Sequence, residues 1–389
     1  MNVEREEHFP LETNYVYILG AGASYADDKR FPLMKSVFEG FQNPRENSNK
    51  SWAEIYPNLL NWLKQNYSDY RSANIEEILT YLDFLRDDYI FDDIPYTAEA
   101  IRNELNVVNL ELVEYLQKRL NPKSNINNFK LHNALAKKLK PEDSIISLNY
   151  DEIIETVLIA HNRSQENIKK LPQLLNLQYL ISKISNRESL FSSLGFNFQA
   201  EDGPGYLLKL HGSLFWTSCA TSNCPNRFYI NMSNEDHIIE NEEEYYKNPG
   251  FDYFPNIPAF CEICGGKLEK IFIYPTAFKQ FNLFPKLRVI WQKAYRILEN
   301  ATHYVLIGYS LPETDYHVRN LIRKACFSGK GRSWRIVDPD WKKVLKRLKP
   351  LIEDQGNSVT FFLRCYKGFE EFLNDEHVEG VDYEDFWNF

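Results

Sequence analysis

Side chains that can donate, accept or orient protons follow several short apolar runs of this sequence. They are Asn149 and Asp151 after the run 145–148, His211 after the run 207–210, Ser310, which follows Gly308 after the run 305–307, and Asp338 after the run 335–337. A histidine titrates near neutral pH, and an amide offers both a donor and an acceptor, so this set suits acid–base chemistry on a ligand. A single histidine at a strand end is otherwise a structural hydrogen-bonding residue. Several polar strand ends together favour a binding site.

A glycine-containing segment near the start of the chain could bind phosphate. The apolar run 15–19 ends in Gly20-Ala21-Gly22-Ala23-Ser24, which predicts a buried strand entering a tight turn. Gly20 and Gly22 can take backbone angles that other residues avoid and let the backbone come close to a ligand, and we expect the backbone N–H groups to hold a pyrophosphate. The alternative is an ordinary turn. No second strand ending in an acid follows about 20 residues later, so the usual dehydrogenase layout is not expected.

Four of the six cysteines form two closely spaced pairs, Cys219 with Cys224 and Cys261 with Cys264. Two such pairs predict a structural four-thiolate zinc site without a catalytic role. Two glycines follow Cys264 and permit the tight turn in which N–H groups reach sulfur. The alternative is four unligated buried cysteines.

A sheet must position these groups. The short apolar runs at 144–148, 206–210, 271–274, 304–307, 335–337 and 359–363 predict strands, and several are separated by helical stretches. This pattern indicates an α/β fold with a largely parallel sheet and helices on both faces. Ligands bind such sheets beyond the carboxyl ends of the strands. The residues Ile75, Ile78, Leu79 and Leu82 recur at helical spacing after Asn74, which suits a helix start.

The expected organisation divides the chain into five parts. They are the first part of the ligand-binding core at 1–51, a helical insertion at 52–143, the continued core at 144–215 with a second helical insertion at 163–200, a zinc module at 216–270, and the completed core with a C-terminal tail at 271–389.

Composition limits the possible functions. The 389 residues carry a formal charge of −9 and no dense run of Lys and Arg, which argues against a general nucleic-acid-binding surface. We therefore expect nucleic acid only through a partner. No apolar stretch is long enough to span a membrane, and the charged N-terminus lacks a signal region, so a cytoplasmic protein is expected.

Four motifs together resemble the sirtuin-like (silent information regulator two) superfamily, and within it the bacterial branch found in antiphage defence. They are Gly20-Ala21-Gly22-Ala23-Ser24, Ser147-Leu148-Asn149-Tyr150-Asp151, Lys209-Leu210-His211-Gly212-Ser213 and Gly308-Tyr309-Ser310-Leu311-Pro312. The resemblance extends between residues 15 and 370. It implies a Rossmann-like core that binds NAD and cleaves its nicotinamide–ribose bond, and a small zinc module after the histidine motif, similar to a zinc ribbon.

The resemblance also implies roles for individual residues. Asn149, Asp151 and His211 are the expected catalytic residues, and the expected cofactor-binding residues are Gly20, Ala21, Gly22, Ser24, Gly308, Ser310 and Asp338, of which Asp338 is the loosest match. Cleavage builds positive charge on the ribose and needs an oriented water. Asn149 can hold that water or a ribose hydroxyl, His211 can accept a proton from either, and Asp151 can orient its neighbours or favour the charge.

The sequence departs from the protein-deacylating sirtuins. Leu148 stands where those enzymes carry a Gln, and the segment from Tyr25 to Pro32 lacks their Asp-Phe-Arg. Water therefore becomes the expected acceptor, and the expected reaction is hydrolysis of NAD to ADP-ribose and nicotinamide. The alternatives are an NAD-dependent protein deacylase and a non-catalytic scaffold that binds NAD or ADP-ribose.

The same resemblance implies a cellular role. Members of this branch commonly act in abortive infection by depleting NAD. We expect a homo-oligomer that is regulated by assembly or by a partner, and the size of the chain resembles subunits that pair with a HerA-type hexameric ATPase.

One acidic segment, from Pro312 to His317, has two interpretations. Pro312 suits a first helical position, so that Asp315 would cap a helix. The alternative is a contact of Asp315 or His317 with the nucleotide or a second subunit.

Overall fold

The computed structural model describes most of the chain. The described residues are 15–45, 49–86, 95–120, 128–140, 143–164, 206–219, 221, 224, 260–261, 263–272, 285–326, 333–352, 362–375 and 379–381. The second helical insertion predicted at 163–200 lies outside them except for its first two residues, as does the acidic tail after residue 381. The five-part division of the chain stays a prediction.

Nine strands lie in the described residues. They are β1 (Tyr15–Leu19), β2 (Ser144–Ser147), β3 (Leu207–Lys209), β4 (Gly212–Cys219), β5 (Leu268–Phe272), β6 (His303–Ile307), β7 (Ser333–Val337), β8 (Phe362–Tyr366) and β9 (Glu379–Val381).

Seven of these strands form one sheet in the order β3-β2-β1-β6-β7-β8-β9. The first six are parallel and only β9 is antiparallel. The central strand β1 pairs along its length with β2 on one side and β6 on the other, for example Leu19 with Ser147 and with Ile307. The predicted α/β class with a mostly parallel, Rossmann-like sheet is confirmed.

The helices cover both faces of the sheet and build the insertion. They are α1 (Ala21–Asp27), α2 (Trp52–Ile55), α3 (Pro57–Asn66), α4 (Ile75–Arg86), α5 (Pro95–Arg119), α6 (Lys130–Lys138), α7 (Ile153–Ser164), α8 (Pro285–Asn300), α9 (Tyr316–Cys326), α10 (Trp341–Ile352) and α11 (Phe369–Leu373). None of the described helices is both long and apolar enough to cross a membrane.

The alternation of side chains along β1 explains the two-sided core. Val16 and Ile18 pack with α8, α9 and α10 on one face, whereas Tyr17 and Leu19 pack with α6, α7 and α11 on the other. A strand that is apolar on both faces is typical of a parallel sheet covered by helices. Because both of its faces are buried against helices, each strand ends at a fixed position in the sheet.

The helical insertion shares a separate apolar core with the segment before it, centred on Phe38 and Phe41 of that segment and on Tyr115 of the insertion. Its helix α4 begins where the sequence predicted, because Asn74 Oδ1 accepts from the backbone N–H of Glu76 at 3.0 Å. Tyr150, which follows β2, belongs to this core and is buried. The insertion therefore packs directly on the segment that carries Asn149 and Asp151.

Two of the predicted strands differ in the structure. The run expected at 271–274 is β5, which begins at Leu268 and pairs antiparallel with β4 in a separate two-stranded sheet. The run expected at 359–363 is β8 at Phe362–Tyr366. Strand β4 was not predicted. Its pairing with β5 is a contact between distant segments that local apolar pattern does not reveal.

Candidate active site

The polar strand ends lie along one edge of the sheet. Strands β3, β2, β1, β6 and β7 are consecutive neighbours, and their carboxyl ends lead into His211, Asn149, Gly20, Gly308 and Asp338. From β1 the strand order continues to β2 and β3 on one side, and to β6, β7 and β8 on the other. The crevice outside the point where the strand order reverses is where doubly wound sheets bind ligands.

The two glycine turns at the centre of this edge pack against each other. A Cβ on Gly22 would lie 2.7 Å from the Cα of Gly308, and one on Gly20 would lie 2.6 Å from its carbonyl oxygen. Gly308 itself has a φ of +60°, whereas Gly20 has an extended φ of −117°. Neither Gly20 nor Gly22 has a positive φ; the lack of a side chain is required here by the close approach of the two backbones.

This contact also uses backbone donors. The N–H of Gly20 donates to the carbonyl of Ile307 at 3.0 Å, and that of Gly22 donates to the carbonyl of Gly308 at 2.9 Å. In this structure both N–H groups stabilise the contact between the turns. The assignment of Gly20, Ala21, Gly22 and Ser24 to a pyrophosphate stays a prediction.

Asn149, Ser24 and Asp151 form a buried hydrogen-bonded network. The Asn149 amide nitrogen donates to the carbonyl of Gly20 at 3.0 Å and to Ser24 Oγ at 3.1 Å. The Ser24 hydroxyl donates to Asp151 Oδ2 at 2.8 Å. Since the carbonyl of Gly20 can only accept, the amide nitrogen must face it, and this fixes the orientation of the side chain. The amide oxygen, Asn149 Oδ1, is buried and has no partner among the described residues.

A small pocket, with a cavity volume of about 30 Å³, adjoins this network. Its polar wall consists of Ser24, Asn149 and Asp151, and the segment after α1 and the helical insertion supply an apolar wall. The apolar lining is Phe31, Pro32, Met34, Val37, Ile75, Leu116 and Leu120, with Ala21 and Tyr150 beside the polar wall. The lining thus combines an apolar wall with a polar edge.

His211 lies next to the same segment. Its Nδ1 is 3.1 Å from the carbonyl oxygen of Leu148, the residue before Asn149, and its ring lies 6.0 Å from that of Tyr150. Its Nε2 is 3.1 Å from Asp315 Oδ2, with the ring N–H direction poorly aligned with that oxygen. The imidazole is only 3% exposed. The structure therefore places His211 beside the segment that carries Asn149, although the pocket described above is lined by Asn149 and Asp151 and not by His211.

The contact of Asp315 with His211, and that of Tyr309 with Asp315, were not predicted. Helix α9 begins at Tyr316, and the segment from Pro312 to Asp315 is a turn, so the prediction that Pro312 opens the helix is wrong. The carboxylate of Asp315 accepts from the Tyr309 hydroxyl at 2.9 Å and is fully buried. In the sequence, the only indication of this contact is that Asp315 follows shortly after the glycine turn at Gly308.

A buried cluster of charges supports the start of α7. Lys209 on β3 is fully buried and forms an ion pair with Glu155, and Glu152 accepts from the Ser213 hydroxyl at 3.0 Å. Burial, and then the neighbouring Glu155, raise the pKa of Glu152 well above its ordinary range. Burial also raises the pKa of Glu155 although Lys209 opposes it. These residues hold the backbone on both sides of Asp151 and His211, and the sequence analysis did not identify them.

Ser310 and Asp338 lie at the same edge of the sheet, but they form hydrogen bonds with helix α10 and with the residues just before it. The carbonyl of Ser310 accepts from Arg347 at 2.8 Å, and Asp338 Oδ1 accepts from the N–H of Asp340 at 2.8 Å just before α10. Burial raises the pKa of Asp338. Neither residue has a described bond to the network around Asn149, and their cofactor roles stay predictions.

The four predicted cysteine ligands are brought together. The Sγ atoms of Cys219, Cys224, Cys261 and Cys264 all lie within 4.8 Å of one another. The closest pairs are Cys219 with Cys264 at 3.4 Å and Cys224 with Cys261 at 3.7 Å. Tetrahedral zinc with Zn–S bonds of about 2.3 Å places its sulfurs roughly 3.8 Å apart, so the cluster fits the metal.

The surroundings of the cysteines also fit a thiolate site. The N–H of Gly266 donates to Cys264 Sγ at 3.3 Å, and the N–H of Thr221 donates to Cys219 Sγ at 3.4 Å. The Gly266 N–H is the main cause of a lowered pKa of the Cys264 thiol. Gly265 has a φ of +69°, which permits the tight turn after Cys264. Cys326 and Cys365 are buried in the main core, away from this cluster.

Comparison with known proteins gives matches only among solved structures. No family profile and no curated protein matches the chain. A mutant Sir2 homologue in complex with 2′-O-acetyl-ADP-ribose is 14% identical, with a TM-score of 0.39, covering 93% of this chain and 89% of that one. A Sir2 homologue–NAD complex is 14% identical, with a TM-score of 0.35, covering 90% of this chain and 92% of that one. At these levels of similarity the matches assign neither an activity nor a ligand to this chain.

Proposed function

We propose that this protein is an NAD glycohydrolase, which cleaves NAD to ADP-ribose and nicotinamide. The motif resemblance suggests the substrate. The position of Asn149 and Asp151 on one pocket wall, with His211 beside the same segment, supports the reaction. The pocket beside Ser24 and Asn149 has the apolar wall and polar edge that a nicotinamide ring needs.

The observation that carries this proposal is the unsatisfied amide oxygen of Asn149. A buried acceptor without a partner costs about 1–3 kcal/mol. Here the amide nitrogen is held by Gly20 and Ser24, so the oxygen keeps one fixed direction. Such an oxygen is suited to accept from a ribose hydroxyl or from the water that attacks the ribose.

The remaining groups fit the charge changes of the reaction. Cleavage of the nicotinamide–ribose bond develops positive charge on the ribose, and the carboxylate of Asp151, oriented by Ser24 and by the N–H of Ile153, can stabilise it. We assign to His211, which lies beside the segment carrying Asn149, the role of taking the proton of the attacking water. The four cysteines would hold a structural zinc ion that stabilises the β4–β5 module, and we assign this ion no part in the reaction.

Incubation of the purified protein with NAD, followed by chromatography of nicotinamide and ADP-ribose, tests the proposal. We expect Asn149→Ala and His211→Ala to lose at least 100-fold in turnover. Asn300→Ala is the matched control, because that amide only donates to a carbonyl of its own helix at 3.0 Å. Its turnover should equal that of the wild type.

Three results would contradict the proposal. Full activity of both site variants would place the chemistry elsewhere. Nicotinamide release that requires an acylated peptide would identify a protein deacylase. Tight binding of NAD without any nicotinamide release, in the isolated and in the assembled protein, would identify a binding scaffold.

We further infer a role in antiphage defence, in which the enzyme depletes NAD as a cytoplasmic homo-oligomer, alone or with a HerA-type ATPase. The motif resemblance supports this role, and no described contact bears on it. Native mass spectrometry with and without NAD, together with cellular NAD levels during phage infection, tests it. A monomeric protein whose deletion leaves NAD levels and phage resistance unchanged would refute it.

A further inference from the structure

The contact between the buried side chains of His211 and Asp315 raises the question of how many protons the two groups hold. The carbonyl of Leu148 can only accept, so the ring nitrogen facing it, Nδ1, carries a proton. The other ring nitrogen lies 3.1 Å from Asp315 Oδ2. Without a proton on either group, two lone pairs would face each other at that distance in a site from which water is excluded, which is unfavourable.

Tyr309 indicates the charge of Asp315. Burial first, and then the negative charge of Asp315, raise the pKa of the Tyr309 phenol far above its usual range, so the phenol keeps its proton. Its hydroxyl donates to Asp315 at 2.9 Å. A donated hydrogen bond favours the ionised carboxylate, and an ionised carboxylate next to His211 favours the imidazolium.

We propose that Asp315 is a positioning residue that holds one additional proton together with His211, so that the two side chains accept and release that proton as a unit. This inference rests on the proposed function for its role in turnover. The resting structure then contains the proton-loaded pair, an imidazolium and a carboxylate. The pair must lose this proton before it can act as a base.

The resulting step is balanced. An O–H bond of the attacking water breaks and its proton passes to the unloaded pair. The water oxygen bonds to the anomeric carbon, and nicotinamide leaves with the electron pair of the broken C–N bond. The pair then releases the proton to solvent, which accounts for the proton that hydrolysis of NAD produces.

Other charged groups around the pair are few among the described residues. Glu76 on α4 is linked to the same turn, because its Oε2 accepts from the Thr314 hydroxyl at 3.1 Å. Arg319 on α9 donates to the carbonyl of Leu311 at 3.3 Å and acts on Tyr309 with the opposite sign to Glu76. Asp315 is therefore the acid in direct contact with His211, and Tyr309 is its hydrogen-bond donor.

Two isosteric variants test the pair by moving its titration in opposite directions. Asp315→Asn removes the negative charge, so His211 should lose its proton at least one pH unit lower than in the wild type. Tyr309→Phe removes a hydrogen-bond donor to the Asp315 carboxylate. The negative charge of that carboxylate then stabilises the protonated His211 more strongly, so the midpoint of the His211 titration should rise. The titration is followed by NMR of ¹⁵N-histidine-labelled protein without NAD, and His211→Gln assigns the signal.

Kinetics provide the second readout. In the wild type kcat should rise with pH as the pair loses its proton. In Asp315→Asn the midpoint of that rise should fall by at least one pH unit and the limiting kcat at least tenfold, while KM changes less than threefold because Asp315 does not line the pocket.

The outcomes separate the two claims. If the wild type releases no nicotinamide, the proposed function fails, and the NMR midpoints still decide whether the pair exists. If the wild type is active and Asp315→Asn has the same midpoint in both experiments, the pair is overturned. A variant that only loses thermal stability, with unchanged midpoints, also overturns it.

Discussion

Replacement of Gly22 by alanine tests whether the contact between the two glycine turns is as rigid as its geometry indicates. Gly22 is the second residue of α1. Alanine is favoured over glycine in a helix by at most about 1 kcal/mol, so local propensity alone predicts a more stable protein. The new Cβ, however, would lie 2.7 Å from the Cα and 2.9 Å from the carbonyl oxygen of Gly308.

Packing should outweigh propensity here. The atoms that the Cβ meets belong to the backbone between β6 and α9 and cannot rotate away as a side chain could. Overpacking of a rigid site costs about 1–3 kcal/mol, and the upper half of this range is expected against backbone. Subtraction of the helical gain leaves a net loss of about 1–2 kcal/mol.

Urea unfolding followed by circular dichroism measures this loss as a lower midpoint at unchanged slope. Gly368→Ala is the matched control, because its Cβ would meet nothing within 4 Å and its φ of −154° is open to any residue. It should change the free energy of unfolding by less than about 0.5 kcal/mol. A Gly22→Ala protein that unfolds at an equal or higher urea concentration than the wild type would refute the reasoning.

Two further predictions concern the zinc module and the buried acids. Cys261→Ser should lose the zinc that metal analysis finds in the wild type and lower the melting temperature, whereas Cys326→Ser should keep the zinc, and a wild-type protein without zinc would contradict the site. Glu152 has a raised pKa in the folded state, so it favours folding below its unfolded pKa and this stability is lost as pH rises through the folded value. Glu152→Gln should therefore lose less stability between pH 5 and pH 8 than the wild type in urea unfolding, and an equal loss would show that Glu152 does not cause it.

The edge of the sheet that holds the site could be predicted from the sequence. Short apolar runs followed by polar residues are local signals, and parallel strands necessarily bring their carboxyl ends to one side. This reasoning correctly placed Asn149, Asp151 and His211 at neighbouring strand ends. The two cysteine pairs were also predictable, because the spacing of the ligands along the sequence is itself the signal.

The partners within the site could not be predicted, because they come from distant segments. Asp315 resembled a helix cap in sequence, and only the fold brings its carboxylate to His211. The true reason for Gly20 and Gly22 is the backbone of Gly308, which no local pattern reveals. The pairing of Lys209 with Glu155 has the same origin, since a lysine within an apolar run gives no indication of its buried partner.

The position of β1 in the middle of the sheet has a consequence for synthesis of the protein. Residues 15–19, which form this strand, are synthesised early. One hydrogen-bonding edge of the strand is covered by β2 at 144–147 and the other by β6 at 303–307, which are synthesised much later. A ribosome must therefore translate the chain through residue 307 before the second edge is closed. Until then an apolar strand with free backbone groups is open to pairing with other nascent chains. We expect slow translation or a chaperone that binds this early segment to increase the yield of folded protein, whereas refolding from denaturant should be slow and should favour low protein concentration.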